Sequence, residues 1–274
     1  MLSEAAEHQN ENLGDFIVHH LQDSRVWNLP GHQVHLPTFP PINLFGLEID
    51  LSITLHVLMM WFAGLILIIT FYFAFRKKAL VPRGFAALLE TVVLFIRDEI
   101  AVPNMGAKQG RRFTPFLSTM FFFILTANLM GLIPLFGLAT SNISVTAALA
   151  VITFVMTQIM GMVENGAWGY WKSMAPSGIP KPLLVIIVPI EFFGLFTKPF
   201  ALAMRLFANM IAGHTVIFAL LGLIIAIGVI WVSPFSIAFA IFISFLELLV
   251  AFIQAYIFTM LSALFIAMAM HPEH

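Results

Sequence analysis

From Phe113 to Val163 the chain carries no Asp, Glu, Lys or Arg, and between Arg205 and Glu247 it again carries none. A soluble domain has about one charged residue in four, because each surface element needs a face for water. Uncharged runs of this length leave no such face. The whole chain agrees: 60% of its 274 residues are hydrophobic, 10% are charged, and the mean hydropathy is +0.97. These values predict an all-α polytopic membrane protein. Cysteine is absent, which excludes disulfides, thiol catalysis and cysteine-ligated metal centres.

The expected organisation is an N-terminal segment, 1–50, followed by a membrane domain, 51–274. The first part holds seven acids and a single base, Arg25. Its start lacks the basic region of a secretory signal and the arginine-rich character of a transit peptide. A short amphipathic helix fits Asp15 to Gln22, and Pro30, Pro37, Pro40 and Pro41 make the remainder loop or extended chain. Five membrane-embedded helices are expected over 53–75, 113–136, 142–163, 183–229 and 235–270. Residues 84–102, with Glu90, Arg97, Asp98 and Glu99 among apolar positions, read as an interfacial amphipathic helix. The last two segments are too long for a perpendicular span of about 30 Å. Neither folding back nor tilt is excluded for 183–229, where Pro189 and Pro199 are possible bends; 235–270 has no internal turn signal, and strong tilt is favoured.

With five spans, residues 76–112, 164–182 and the C-terminus share one side, and ten of the thirteen Lys and Arg residues fall there. The positive-inside rule then places the C-terminus in the cytoplasm and the N-terminus outside.

Arg205 is the most costly residue in the chain. On insertion scales an arginine at a bilayer centre costs about 2.5–3.5 kcal/mol, so its presence asks for a function. Glu191, Lys198 and Arg205 recur every seven positions, within about 40° of one helical face, and Asn209 joins the stripe. His214 lies nine residues beyond Arg205, on nearly the opposite face. Glu247 and Gln254 share a face of the last helix, with Ser244 and Ser262 close to it. Folding the two helices back near residue 230 brings Arg205 level with Gln254 and His214 level with Glu247. A straight hairpin cannot turn both Arg205 and His214 towards one partner helix, and the spacing leaves that conflict open. Carboxylates and imidazole exchange protons, whereas arginine holds its charge. A fixed charge in such a relay separates two half-channels if a carboxylate from another subunit carries the proton past it.

Plainer readings stand beside these. Lys198 can snorkel to the interface, Glu191 can sit at an interface or a helix dipole, and Gln254 can join helices by a hydrogen bond. His214 can be a packing residue, and Arg205 can form a structural ion pair with Glu191 or Glu247. His19, His20, His32 and His35 lack a clustered third ligand, so no metal site is expected.

The run Met204-Arg205-Leu206-Phe207-Ala208-Asn209-Met210-Ile211-Ala212-Gly213-His214 resembles the signature of subunit a of F-type ATP synthases. The similarity extends through Glu191, Lys198-Pro199, the run from Asn128 to Pro134, the run from Gln254 to Phe258, and Asp15 to Leu21. The resemblance implies a stator subunit of the proton-translocating membrane sector, with two long tilted helices against a rotating c-ring. It implies that Arg205 faces the c-ring carboxylate, that Asn209 and Gln254 neighbour that arginine, and that Glu191 belongs to the cytoplasmic exit. His214 and Glu247 fall where some relatives have Glu and His, an exchange that keeps one acid and one imidazole. Gly131 stands where some bacterial members have Asp, and Asn142 stands near another such position. The outer path is therefore expected to lean on Ser141, Asn142, Ser144, His214 and Glu247.

The expected partners are the c-ring, peripheral-stalk b subunits, protons and the lipid bilayer of a bacterial plasma membrane. No cofactor, no nucleic acid and no nucleotide chemistry are expected, since there is no Walker-type loop. The chain is not expected to be an enzyme on its own. The competing reading is a stand-alone proton-coupled secondary transporter, which calls for internal repeats that the sequence lacks.

Overall fold

The computed structural model describes residues 24–29, 32–40, 42–44, 47–49, 52–76, 82–133, 136–173, 181–227 and 233–271. The helix expected over Asp15 to Gln22 lies outside them.

Two short antiparallel hairpins precede the helices. Strand β1 (Val26–Leu29) pairs with β2 (His32–His35), with Val26 opposite His35 and Leu29 opposite His32. Strand β3 (Ile42–Leu44) pairs with β4 (Leu47–Ile49). The prolines predicted loop or extended chain; strand pairing is what the structure adds, and it satisfies backbone groups that isolated extended chain leaves open.

Helix α1 (Leu55–Phe75) is apolar almost throughout. Helix α2 (Phe85–Phe95) runs into a π-helical turn, Ile96–Ala101, and then into α3 (Val102–Gly131). Within that turn Ile96 and Ile100 are buried, while Asp98 and Glu99 are exposed. The single helix expected over 84–102 is thus a helix followed by a wider turn. Gly106 breaks α3 with φ 76° and ψ 165°, a conformation glycine reaches at little cost. Just beyond, a Cβ on Gly110 would stand 2.7 Å from the Val102 Cα, so the folded-back chain needs glycine twice.

The 3₁₀ turn Ala139–Ser141 leads into α4 (Ile143–Asn165), followed by α5 (Ala167–Ser173) across Gly166, whose φ is 71°. Helices α6 (Lys181–Ile227) and α7 (Ser233–Met270) have 47 and 38 residues, or about 70 and 57 Å of rise. Pro189 and Pro199 sit inside α6 without ending it, so folding back within 183–227 is ruled out.

Four helical stretches are long and apolar enough to cross a membrane: Leu55–Phe75, Ile143–Asn165, Pro182–Leu220 and Ser233–Met270. The span expected over 113–136 is helical as far as Gly131 and stands outside these four. The protein is an all-α polytopic membrane protein by this architecture.

The described residues divide into two compact units. One falls within 1–66, 125–145 and 207–253, the other within 67–124, 146–206 and 254–274. In the first, Met59, Ala63, Leu138, Met210 and Ala251 are buried, and Trp27 packs against Phe62 and Phe136. In the second, Ile100, Leu117, Ile124, Leu206, Phe258 and Ile266 are buried. The polar groups are distributed between the units, and each set is described within its own.

Candidate proton-handling site

In the first unit, His214 of α6 and Glu247 of α7 are buried, with His214 Nδ1 3.0 Å from Glu247 Oε1. The level match drawn from the sequence is therefore a contact. His214 Nε2 lies 2.9 Å from the Gly131 carbonyl, and Nδ1 lies 3.2 Å from the Met210 carbonyl. Both ring nitrogens consequently face acceptors. A neutral imidazole donates from only one nitrogen, so this setting accommodates a second proton, held by the ring or by the carboxyl group. The contact is close without being a directed hydrogen bond: neither Glu247 oxygen has a hydrogen-bond partner among the described residues. Attraction between the two groups depends on their separation far more than on angle. A buried carboxylate with unsatisfied oxygens is costly, and the adjacent His214 ring offsets part of that cost.

Gly213 makes room for this pair. A Cβ there would lie 2.8 Å from Glu247 Cδ and would overlap its carboxylate oxygen. Sequence reasoning assigned Gly213 no role, although its place beside His214 was visible.

The pair is joined to a buried polar frame. Asn128 donates to the Ala251 carbonyl at 3.5 Å and accepts from Thr140 Oγ1 at 2.9 Å. Ala251 is one turn beyond Glu247, and Asn128 is one turn before Gly131. Asn142 Oδ1 accepts from the Ser144 N–H at 2.9 Å, while its Nδ2 stands 3.5 Å from His56 Nδ1. Ser141 uses its hydroxyl on the Leu138 carbonyl, and the Ser144 side chain is exposed. Thr140 and His56 escaped the sequence reading because isolated polar residues in apolar runs have no characteristic spacing. Asn209, also in this unit, is exposed on α6.

In the second unit, Glu191 and Lys198 line one cavity of about 520 Å³, as their spacing of seven allows. Thr157, Gln158, Tyr170, Ser173 and His271 add to its polar wall. Thr153, also on the wall, approaches Ser262 Oγ at 3.1 Å; Ser262 lies eight residues beyond the buried Gln254 of α7. Burial raises the pKa of the Tyr170 phenol, with a smaller opposing effect from Gln158, so it is neutral at ordinary pH. Thr153 and Thr157, four apart on α4, are the kind of signal that could have disclosed this wall from sequence.

Arg205 is different. It is exposed on α6 and belongs to neither ion pair among the described residues, which are His214–Glu247 and Arg97–Asp98. The structural ion pair with Glu191 or Glu247 is absent among them. The conflict over faces also resolves: His214 is the residue turned towards α7, and Arg205 points outward.

Fold and site together define a multi-pass membrane protein with buried groups suited to proton exchange and an outward-facing arginine. Residues 57–267 match the model of the ATP synthase A chain family. ATP synthase subunit a of Anaeromyxobacter dehalogenans strain 2CP-C is 50% identical over 280 residues, covering 96% of this chain and 73% of the relative. The subunits a of Myxococcus xanthus and Chloroherpeton thalassium are 53% and 47% identical, covering 82% and 94% of this chain and 75% and 77% of their own lengths. The chain belongs to the ATP synthase A chain family. It is a membrane-sector component of the F-type ATP synthase complex.

Proposed function

We propose that this chain is the proton-conducting stator subunit of the complex, forming two offset half-channels against a rotating c-ring. In synthesis a proton enters past His214 and Glu247 and neutralises a c-ring carboxylate. The ring carries it through lipid, and it leaves by the cavity of Glu191 and Lys198. Arg205 stabilises the deprotonated carboxylate and blocks a direct leak, with Asn209 and Gln254 as its polar neighbours. Ser141, Asn142 and Ser144 belong to the outer approach.

The observation that carries this reading is the setting of Arg205. A charge exposed on a long apolar helix, outside both ion pairs of the described residues, is best stabilised by a counter-ion from another chain. Phe196 and Phe200, shortly before Arg205 on the same helix, are exposed as well, consistent with lipid or a partner helix. Residues 1–50 lie outside, the C-terminus lies in the cytoplasm of a bacterial cell, and the peripheral-stalk b subunits hold the chain still.

The test is Arg205→Ala in membrane vesicles, with ATP-driven proton pumping, passive proton permeability and c-ring co-purification measured together. Lost pumping with intact assembly is expected; unimpaired pumping overturns the proposal.

A further inference from the structure

His56 is a buried titratable group with no part in the mechanism above. It lies on the first turn of α1, 4% exposed, in a helix whose other residues are nearly all apolar. Ser52, four residues earlier and also buried, accepts a hydrogen bond from the Phe39 N–H at 3.0 Å. Towards the other polar groups, His56 Nδ1 stands 3.5 Å from Asn142 Nδ2.

The Asn142 amide is oriented by its second contact. Its oxygen takes the Ser144 N–H, so its NH₂ group is the one presented to His56. His56 Nδ1 then accepts, and the neutral ring carries its proton on Nε2. From Asn142 the polar groups continue within the same unit. The turn that ends at Asn142 supplies Thr140, which bonds Asn128; one turn on, Gly131 gives its carbonyl to His214, which contacts Glu247. His56 and His214–Glu247 thus lie at the two ends of a series of polar groups, linked in part by contacts and in part by neighbouring positions along the chain.

We propose that His56 is a second proton-transferring residue on the outer side of the path, preceding His214 and Glu247. The imidazole takes a proton on Nδ1 and releases the one on Nε2, which leaves the opposite neutral tautomer; a turn of the ring about its Cβ–Cγ bond restores the starting form before the next passage. Water along this series bridges the intervals, since an amide such as Asn142 orients and does not itself relay. A proton on Nδ1 and the Asn142 NH₂ group are both donors, so their contact opens during a passage and forms again once the ring is reset. Asn142 is accordingly a positioning residue.

The inference rests on the proposed half-channel reading, and the experiment separates the two. His56→Ala, His56→Gln and Arg205→Ala are prepared in the intact complex. ATP hydrolysis coupled to rotation is measured in uncoupler-treated vesicles, with and without added imidazole, alongside c-ring co-purification. Transfer by a positioned side chain contributes typically 10²-fold or more, and water along the series compensates in part, so His56→Ala is expected to slow turnover about tenfold. Imidazole is expected to restore His56→Ala several-fold while leaving Arg205→Ala inactive, and His56→Gln is expected to remain slow. Turnover of His56→Gln at the unaltered rate overturns the proposal, even if His56→Ala fails to assemble. Failure of imidazole to restore an assembled His56→Ala complex also overturns it. Full activity of Arg205→Ala instead overturns the reading beneath it.

Discussion

The carboxylate of Glu247 occupies the volume that a side chain on Gly213 would fill. A methyl group at position 213 would stand 2.8 Å from Glu247 Cδ, closer than real Cβ atoms approach. Gly213→Ala is therefore expected to displace Glu247 from His214 while leaving both residues in place chemically. Overpacking of this kind typically costs about 1–3 kcal/mol. Proton pumping should fall at least several-fold with the c-ring still bound, and Gly213→Ala combined with Glu247→Asp should recover part of it. Unaltered pumping in Gly213→Ala would show that the contact is dispensable.

The His214–Glu247 contact makes the two residues a unit. Residues in contact show coupling energies of about 0.5–3 kcal/mol. Glu247→Gln and His214→Gln are each expected to reduce pumping strongly, and their effects should combine less than additively. The exchanged protein, carrying His214→Glu and Glu247→His together, should pump better than either single exchange. A double exchange no better than the singles counts against a shared proton.

Because the chain has no cysteine, single introduced cysteines report accessibility without background. Leu195→Cys lies in the cavity with Glu191 and Lys198, whereas Val185→Cys is 75% exposed on an apolar helix. In membranes a charged, water-soluble thiol reagent applied from the cytoplasmic side should modify the first and spare the second. Equal labelling of both, or of neither, would show that the cavity is not a water path.

Gly110 tests the turn within the helix that ends at Gly131. A Cβ at this position meets backbone of Ala101 and Val102 at 2.7–2.8 Å, and backbone cannot rotate aside as a side chain can. Gly110→Ala should lower the amount of assembled complex in membranes. At Gly106 the left-handed φ costs a non-glycine residue about 1–2 kcal/mol, so Gly106→Ala should do the same more mildly.

Some of this was legible from spacing alone. Glu191 and Lys198 share a cavity because seven residues return a helix to nearly the same face. Glu247 and Gln254 are both buried for the same reason. The level of His214 with Glu247 followed from reflection about the connection. Less visible were the glycines: Gly213 and Gly110 matter through what approaches them, and no property of their own positions reveals that.

The amino-acid sequence by itself determined the membrane environment, the helical class and the register of the polar stripes. These depend on composition and on a fixed rise and rotation per residue, which are local properties. Tertiary structure alone decided which stripe faces a partner. It turned His214 towards Glu247, left Arg205 outward, and brought His56 to Asn142 and Asn128 to Thr140. Such contacts join residues 12 to 86 positions apart, and their geometry depends on how helices rotate and close upon one another. The arginine that is so conspicuous in the sequence gained its meaning from that rotation: it is turned outward, where another chain can meet it.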